Sequence, residues 1–237
     1  MTVRPTDETM LALGPRAPVM ARVNRAFMHR ATRRLAERGV RQFLDIGTGI
    51  PTEPNLHQVA QGIAPDARVV YCDNDPVVAA HAAALLRGTP QGVTEYLQAD
   101  VREPDAIIEG ARQVIDFDRP VALSLVALLH FVPDEEGAHE LVGDLMSQLP
   151  TGSYLVMTHA TADFTPEESA AAVERLTAAG VTLALRSRTG FARFFDGLDL
   201  VEPGVTVVDK WHPELGDPVP GQDDGVIPVY AAVGRKP

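Results

Sequence analysis

Two hydrophobic periods alternate along the chain, and their alternation predicts the fold class. Short, almost continuously apolar runs, such as "QFLDI" at 42–46 and "VVYCD" at 69–73, predict strands that are buried on both faces. The segments between such runs have helical periodicity. The clearest is 17–38, which has an apolar residue at every fourth position: Val19, Val23, Phe27, Ala31 and Leu35.

Strand and helix patterns follow one another from residue 40 to residue 160, where the fifth predicted strand, "SYLVMTHA", ends. Such an alternation predicts an α/β fold, in which helices cover both faces of a mostly parallel sheet. Asn55 is placed to cap the helix after the first strand, and Pro76 is placed to begin the helix after the second. A long apolar run at 120–132 predicts the fourth strand and its exit.

The pattern changes after the fifth strand. Residues 165–180 predict a helix, and Thr165 and Glu168 have the spacing of a capping box. Two strand-like segments follow, at 198–211 and 227–236, and a long loop rich in proline and glycine joins them. Because such a loop favours antiparallel pairing over a crossover helix, the sequence predicts a C-terminal hairpin.

The chain is predicted to form one domain over residues 1–237, because no internal repeat or low-complexity linker divides it. Its parts are an N-terminal helical segment at 1–38, a core at 40–160, and a C-terminal helix and hairpin at 161–237. Hydrophobic residues make up 45% of the chain and charged residues 22%, which is the composition of a globular protein.

The formal net charge of −11 argues against a nucleic-acid partner, because such binding requires clustered lysine and arginine. One segment, 16–41, is nevertheless basic, with eight arginines and a single acid, Glu37. A run of this kind is typical of a solvated helix face, and we expect one here.

Cys72 is the only cysteine, so an intramolecular disulfide is excluded and a reducing compartment is expected. No apolar stretch approaches the roughly 20 residues needed to span a bilayer, and the N-terminus lacks the pattern of a secretory signal. We therefore expect a cytoplasmic protein without a membrane partner. The seven histidines lie on different predicted elements without ligand spacing, so no metal site is expected.

A glycine turn follows the first predicted strand, in "DIGTGIPTEPN" at 45–55. Glycines directly after a strand allow a sharp turn and the close approach of a ligand to the main chain. A dinucleotide fingerprint would have a third glycine at position 52, where Thr52 stands, and Pro51 lacks an N–H for phosphate. Asp45 would repel a pyrophosphate, whereas it suits a cationic group such as the ammonium of S-adenosylmethionine (SAM).

Two more carboxylates follow the next two predicted strands. Asp73 ends the second strand, where a carboxylate can accept both hydroxyls of a ribose. Asp100 ends the third, where it can meet the amino group of an adenine. Together with Asp45 they lie at the carboxyl ends of parallel strands, which is where open α/β sheets bind ligands. The three acids therefore predict a site for a nucleoside with a cationic tail.

The segments "FLDIGTG", "VVYCDNDP" and "LQAD", and the run from Leu125 to Met157, resemble the successive motifs of class I SAM-dependent methyltransferases. The resemblance covers residues 40–160. The sequence around the glycine turn and the later "FFDGLDLVEPG" are similar to the actinobacterial S-adenosyl methyltransferase family, formerly a domain of unknown function. This resemblance implies a Rossmann-like, seven-stranded sheet whose last strand is antiparallel.

The resemblance also assigns seven residues to the cofactor site: Asp45, Gly47, Gly49, Asp73, Asn74, Asp100 and Val101. The first three would line the methionine end of SAM. Asp73 would hold the ribose, and Asn74 would lie against the adenine. Asp100 would face the edge of the adenine ring, and Val101 would pack on its plane. The chain departs from the family pattern at Pro51, which interrupts the usual G-x-G-x-G and is followed by a lengthened turn.

Methyl transfer requires alignment of the nucleophile with the methyl group, and it requires a base only where the acceptor is protonated. Histidine is the usual base near neutral pH. His130 follows the fourth strand, where the methyl group should emerge, and His159 ends the fifth, so both are candidates. The alternative for His130 is a histidine that caps the next turn. His57, in the first turn of the next helix, is expected to be exposed.

The sequence thus predicts a SAM-dependent methyltransferase that acts on a small-molecule acceptor. Two alternatives stay open at this point. The first is a non-catalytic SAM-binding protein, because no acceptor-binding residue can be named. The second is a nicotinamide-dependent oxidoreductase, against which Pro51 and Thr52 count.

Overall fold

The computed structural model describes residues 16–85, 88–222 and 225–237. The strands in these ranges are β1 (Gln42–Ile46), β2 (Arg68–Asp73), β3 (Val93–Gln98), β4 (Ala122–Leu125), β5 (Tyr154–Ala160), β6 (Asp199–Leu200), β7 (Thr206–Val207) and β8 (Val229–Arg235). The helices are α1 (Ala17–Glu37), α2 (Leu56–Ile63), α3 (Pro76–Leu85), α4 (Pro104–Ala111), α5 (Ala138–Ser147), α6 (Pro166–Ala178) and α7 (Arg188–Ala192). None of the helices within these described ranges is long and apolar enough to cross a membrane.

The strands form one sheet in the order β3-β2-β1-β4-β5-β8, and β6 and β7 both pair with β8 at its outer side. Strands β1 to β5 are parallel to one another, whereas β8 is antiparallel to β5, β6 and β7. Because β6 and β7 occupy the same edge position, the sheet has seven positions. The predicted seven-stranded, mostly parallel sheet with a C-terminal antiparallel hairpin is confirmed.

Helices pack on both faces of this sheet, as the apolar strands predicted. Neighbouring side chains of a strand point to opposite faces. Phe43 and Tyr71 pack in a core cluster with α1 and α2, whereas Leu44 and Val70 pack in a second cluster with α4 and α5. The apolar stripe predicted for α1 lies in the first cluster, and four of its five residues are buried.

Several arginines of α1 fasten the helix to distant loops. Arg30 is only 4% exposed, and its guanidinium donates to the backbone carbonyls of Trp211 at 2.8 Å and Val208 at 2.7 Å. Arg22 and Arg25 also donate to backbone carbonyls, in the loop after β7 and in the glycine turn. The expectation of a solvated arginine face is therefore wrong for Arg30, whereas Arg22 is exposed. Periodicity could not reveal it, because the acceptors are distant in sequence.

The fourth strand is shorter than the apolar run predicted, since β4 ends at Leu125. Ala127 has a φ of 54°, and Leu129–Phe131 form a 3₁₀ turn. The Ala127 N–H donates to Oγ1 of Thr158 at 2.8 Å, and this hydroxyl donates to Oδ1 of Asn24 at 2.6 Å. A contact between three distant segments thus sets the path of the chain where the strand ends.

Two smaller expectations about helices are wrong. The alternating pattern predicts one continuous helix between the fourth and fifth strands. That segment is divided, because Gly137 has a φ of 75° and separates the 3₁₀ turn Asp134–Glu136 from α5. Thr165 precedes α6, but its side chain makes no capping hydrogen bond to the helix. Local spacing suggested a capping box, and the hydroxyl instead lies 3.4 Å from Oγ of Ser169.

Replacing Arg30 with alanine is expected to lower the free energy of unfolding by about 2–4 kcal/mol, because two buried carbonyl groups lose a charged donor. The matched control is Arg33→Ala on the same helix, where the side chain is exposed. For this control a change within about 0.5 kcal/mol is expected. Urea denaturation measures both values, and equal stabilities of the two variants would contradict the role given to Arg30.

Candidate active site

A large cavity, called the main cavity below, opens at the carboxyl ends of β1, β4 and β5. Its volume is about 870 Å³, and α1 and α6 form two of its walls. Three predicted cofactor residues, Asp45, Gly47 and Gly49, line it, and His130 lines it as well. The structure therefore brings the predicted methionine end of the site and one candidate base into a single space.

A much smaller pocket, called the narrow pocket, lies beside the main cavity and shares Gly47 with it. Asp73, Asn74 and Val101 line it, together with Leu128. Its volume is about 10 Å³. A space of that size holds about one water molecule.

The glycine turn is fastened to the end of β2. Gly47 and Gly49 have φ values of 74° and 64°, which favour glycine. The Gly47 N–H donates to the carbonyl of Cys72, and the Gly49 N–H donates to Oδ2 of Asp73, both at 2.8 Å. A Cβ at position 47 would lie 2.7 Å from Cδ1 of Leu128. A side chain there would collide with Leu128, which lines the narrow pocket.

The lengthened part of the turn is closed by its own hydrogen bonds. Oδ1 of Asn55 accepts the Thr52 N–H at 3.1 Å, and the Asn55 N–H donates to Oε1 of Gln58 at 2.6 Å. The predicted cap of α2 at Asn55 is therefore confirmed, as one half of a capping box with Gln58. Pro51 is buried and lines the main cavity, so the residue that replaces the family glycine is part of the cavity wall.

The Asp73 carboxylate is held in a fixed orientation. It is 3% exposed, and besides the Gly49 N–H it accepts the Asp75 N–H on Oδ1 at 3.1 Å. Each carboxylate oxygen has a further acceptor site, so ribose hydroxyls can still bind. Both of these donors are backbone groups at the carboxyl edge of the sheet, and the carboxylate is therefore preorganised for a ligand there.

Asp100 was predicted to face the adenine, but it lies behind Asn74. It lines neither the main cavity nor the narrow pocket, and its Oδ2 accepts Nδ2 of Asn74 at 2.7 Å. Its Oδ1 accepts the Arg102 N–H at 3.0 Å. Asp100 thus supports Asn74, which itself lines the narrow pocket.

Tyr71 was not predicted as a site residue. It lies on β2, pairs in register with Asp45 and lines the main cavity. Its hydroxyl accepts the His57 N–H at 2.8 Å and lies 3.0 Å from His57 Nδ1. Burial, with the Asp45 carboxylate nearby, raises the pKa of the Tyr71 phenol well above its usual range. His57 is fully buried, so the expectation of an exposed histidine is wrong. The only signal in the sequence was a tyrosine within an otherwise apolar strand.

His130 lies in the 3₁₀ turn after β4, half-buried in the wall of the main cavity. Its ring packs against Phe131, with centroids 4.4 Å apart. Its backbone carbonyl accepts the Ala184 N–H at 2.8 Å. The imidazole is therefore carried by a tethered turn at the edge where the methyl group was expected.

His159 lies behind this wall, and it lines neither cavity. It is 1% exposed, and its Nε2 lies 2.5 Å from Nη1 of Arg186. Its Nδ1 lies 2.8 Å from the Ala160 carbonyl. Burial, with a smaller contribution from the Arg186 charge, lowers the pKa of His159 to about 3. The expectation that His159 faces an acceptor is not supported by this geometry, because the ring is buried and packs against the His130 ring, with centroids 5.7 Å apart.

The Cys72 thiol takes no part in the site's chemistry. Burial raises the pKa of the Cys72 thiol to about 12, so the thiol is protonated at neutral pH and is no nucleophile. Within the described part of the chain, no three His, Cys, Asp or Glu side chains lie close enough together to hold a metal ion.

The site thus combines a glycine turn, an oriented carboxylate and a large cavity at one sheet edge. The sequence profile of the S-adenosyl methyltransferase family matches residues 4–237, almost the whole chain. The chain belongs to this family. It is therefore a SAM-dependent methyltransferase, and the alternative of a nicotinamide-dependent oxidoreductase is removed.

Solved structures agree with this assignment. A DUF574 family protein from Streptomyces avermitilis MA-4680 is 46% identical, with a TM-score of 0.90 over 97% of this chain and 88% of that chain. A putative methyltransferase from Thermobifida fusca YX is 35% identical, with a TM-score of 0.81 over 99% and 96% of the two chains. The plantazolicin methyltransferase BpumL, solved with S-adenosylhomocysteine (SAH), is 13% identical over 97% and 90%, and its TM-score of 0.57 shows a shared fold. No curated protein matches the chain.

The residues present fit SAM as the cofactor. Gly47 and Gly49 line the main cavity and have no side chains, so a ligand can approach the main chain there. The buried Asp73 carboxylate is oriented at the end of β2, where nucleosides bind in such folds. No phosphate-binding feature is needed, which agrees with Pro51 in the cavity wall.

Proposed function

We propose that this enzyme methylates a small organic molecule that binds in the main cavity between α1 and α6. The observation that supports this proposal is the cavity itself, which extends from the glycine turn to the inner faces of both helices. At about 870 Å³ it is within the range of small-molecule sites, which is roughly 300–1,000 Å³. Apolar side chains such as Met20, Met28, Leu183 and Leu185 are among those that line the cavity.

The cofactor residues proposed from the sequence follow the two cavities. Asp45, Gly47 and Gly49 would hold the methionine end of SAM in the main cavity, where Tyr71 adds a hydroxyl. In and beside the narrow pocket, the ribose and adenine would be held by the remaining four residues: Asp73, Asn74, Asp100 and Val101. When bound, SAM supplies the electrophilic methyl group, and these residues orient it toward the acceptor.

His130 is the proposed proton acceptor, since it lines the same cavity on the β4 side. In this role the imidazole would take a proton from the acceptor's nucleophile as the methyl group is transferred. The apolar wall would exclude water from the nucleophile. Acceptors that are already deprotonated would need only the alignment that the cavity provides.

We also propose a cytoplasmic, bacterial protein that acts as one methyltransferase domain over residues 1–237, with no nucleic-acid or membrane partner. The free thiol of Cys72 fits a reducing compartment. The net charge of −11 opposes contact with nucleic acid. Both similar solved proteins come from bacteria, Streptomyces and Thermobifida.

The ribose assignment predicts that Asp73→Ala weakens SAH binding by about 1–3 kcal/mol, roughly 5- to 150-fold in dissociation constant. The cause is the loss of an acceptor for the ribose hydroxyls and of the anchor for the Gly49 N–H. Calorimetry with SAH measures the change, and Asp118→Ala on the exposed surface is the control. An unchanged dissociation constant would show that the ribose lies elsewhere, and no binding by the unmodified protein would refute the whole site.

If the acceptor binds in the main cavity, Ala172→Trp should lower methyl transfer without weakening SAH binding. Ala172 lines the main cavity on α6, and an indole there would occupy acceptor space. We expect SAH affinity to stay within about threefold of normal. Methyl transfer should fall roughly 100-fold, because a misplaced acceptor is no longer aligned with the methyl group. The control, Ala170→Trp, places the same side chain on the exposed face of the same helix.

Both variants are assayed with methyl-labelled SAM over a panel of small organic acceptors. Methyl transfer at the normal rate by Ala172→Trp would show that the acceptor does not bind in this cavity. Transfer to nucleic acid and to none of the small molecules would refute the proposed acceptor class.

For His130→Gln, methyl transfer is expected to fall by about 10²- to 10⁴-fold while SAH affinity is unchanged, because only proton removal is lost. The same labelled-methyl assay measures the rate, and calorimetry measures the affinity. A rate equal to that of the unmodified enzyme would show that His130 is not the base.

A further inference from the structure

Arg186 is a buried arginine that the cofactor and acceptor assignments do not use. It lies between α6 and α7 and is 6% exposed. Its Nη1 donates to the Leu129 carbonyl at 3.1 Å, and its Nη2 donates to the Val132 carbonyl at 2.9 Å. Nε and Nη2 both donate to Oδ1 of Asp134, at 3.0 and 2.5 Å. The guanidinium is thus bound by one short segment of chain, 129–134.

That segment is the turn that carries His130. Arg186 binds it on both sides of the histidine, at Leu129 and at Val132. A third tether comes from the same strand-like stretch as the arginine, since the Ala184 N–H donates to the His130 carbonyl at 2.8 Å. Because a 3₁₀ turn has few hydrogen bonds of its own, these contacts set its position.

His159 completes this arrangement by accepting from Arg186. Nε2 lies 2.5 Å from Nη1, and since an arginine has only donors, Nε2 must be the unprotonated nitrogen. The proton then lies on Nδ1, which donates to the Ala160 carbonyl at 2.8 Å. Phe194 lies under the guanidinium, with its ring centroid 5.1 Å from Cζ. The planar guanidinium therefore has a partner on each of its nitrogens.

We propose that Arg186, oriented by His159, is the positioning residue that holds His130 in the wall of the main cavity, and that His159 acts as a hydrogen-bond acceptor and not as a base. Any effect of Arg186 on catalysis rests on the proposed role of His130 as the base. The claim that Arg186 positions the turn does not depend on that role. Arg186 acts through the turn and touches no reacting atom. The two histidines that the sequence offered as candidate bases thereby receive different tasks.

The test uses Arg186→Met, with Arg193→Met as control, because Arg193 is exposed on the 3₁₀ turn directly after α7. Deuterium exchange of the peptide containing residues 129–134 is compared with exchange of the strands, and calorimetry gives SAH affinity. We expect exchange in this peptide to rise about tenfold or more in Arg186→Met, with the strands unchanged and SAH affinity within about threefold. If residues 129–134 were as well protected from exchange in Arg186→Met as in Arg193→Met, the proposal would be overturned.

A rescue experiment distinguishes this role from simple packing. His159→Gln supplies an amide oxygen that can accept from Arg186, whereas His159→Leu removes the acceptor. We expect His159→Gln to keep the turn protected and His159→Leu to loosen it. In ¹⁵N spectra at neutral pH, His159 should be neutral with its proton on Nδ1. Equal loosening by both variants, or a proton on Nε2, would overturn the proposal.

If Arg186→Met does not fold, Arg186→Lys serves in its place. An ammonium is a compact donor and cannot reach the two carbonyls, the carboxylate and the imidazole at once, so partial loosening of the same peptide is expected. Full protection in Arg186→Lys would count against the proposal. A His130→Gln variant with normal methyl transfer would refute the catalytic role of His130 and leave the exchange result valid.

Discussion

The parallel pairing of β1 with both β2 and β4 is the constraint on which the site depends. It aligns the carboxyl ends of these strands, so that Asp45 lies beside Tyr71 on one side and Ser124 on the other. The glycine turn can then reach the end of β2, where Asp73 accepts the Gly49 N–H at 2.8 Å. With a different register these groups would be separated by at least one residue along a strand, and the oriented carboxylate would be lost.

The turn after β4 connects the two halves of the site. Leu128 lines the narrow pocket, and His130, two residues later, lines the main cavity. The chain between them is directed by Ala127, whose φ of 54° is held through Thr158. Any movement of Leu128 would therefore act on the same short turn that carries His130. Arg186 restrains that turn from behind.

Most of the fold could be predicted from local pattern, because alternating strands and helices leave few ways to bury their apolar faces. The strand-end acids and the turn glycines were also found locally, since their positions follow directly from where a strand stops. The errors have a common cause. Arg30 binds carbonyls far along the chain, the Thr165 hydroxyl makes no helix cap, and β4 ends early because of a contact with β5. Each depends on partners that periodicity does not contain.

The sequence by itself determined the sheet, the glycine turn and the acids at three strand ends. It offered both His130 and His159 as candidate bases, with His130 nearer the expected methyl group. Only the tertiary structure shows where the two rings lie. It places His130 in the cavity wall and buries His159 against Arg186, which is 27 residues away in sequence. The physical reason is desolvation: burial lowers the pKa of the His159 imidazole, so beside the Arg186 guanidinium it stays neutral and serves as an acceptor.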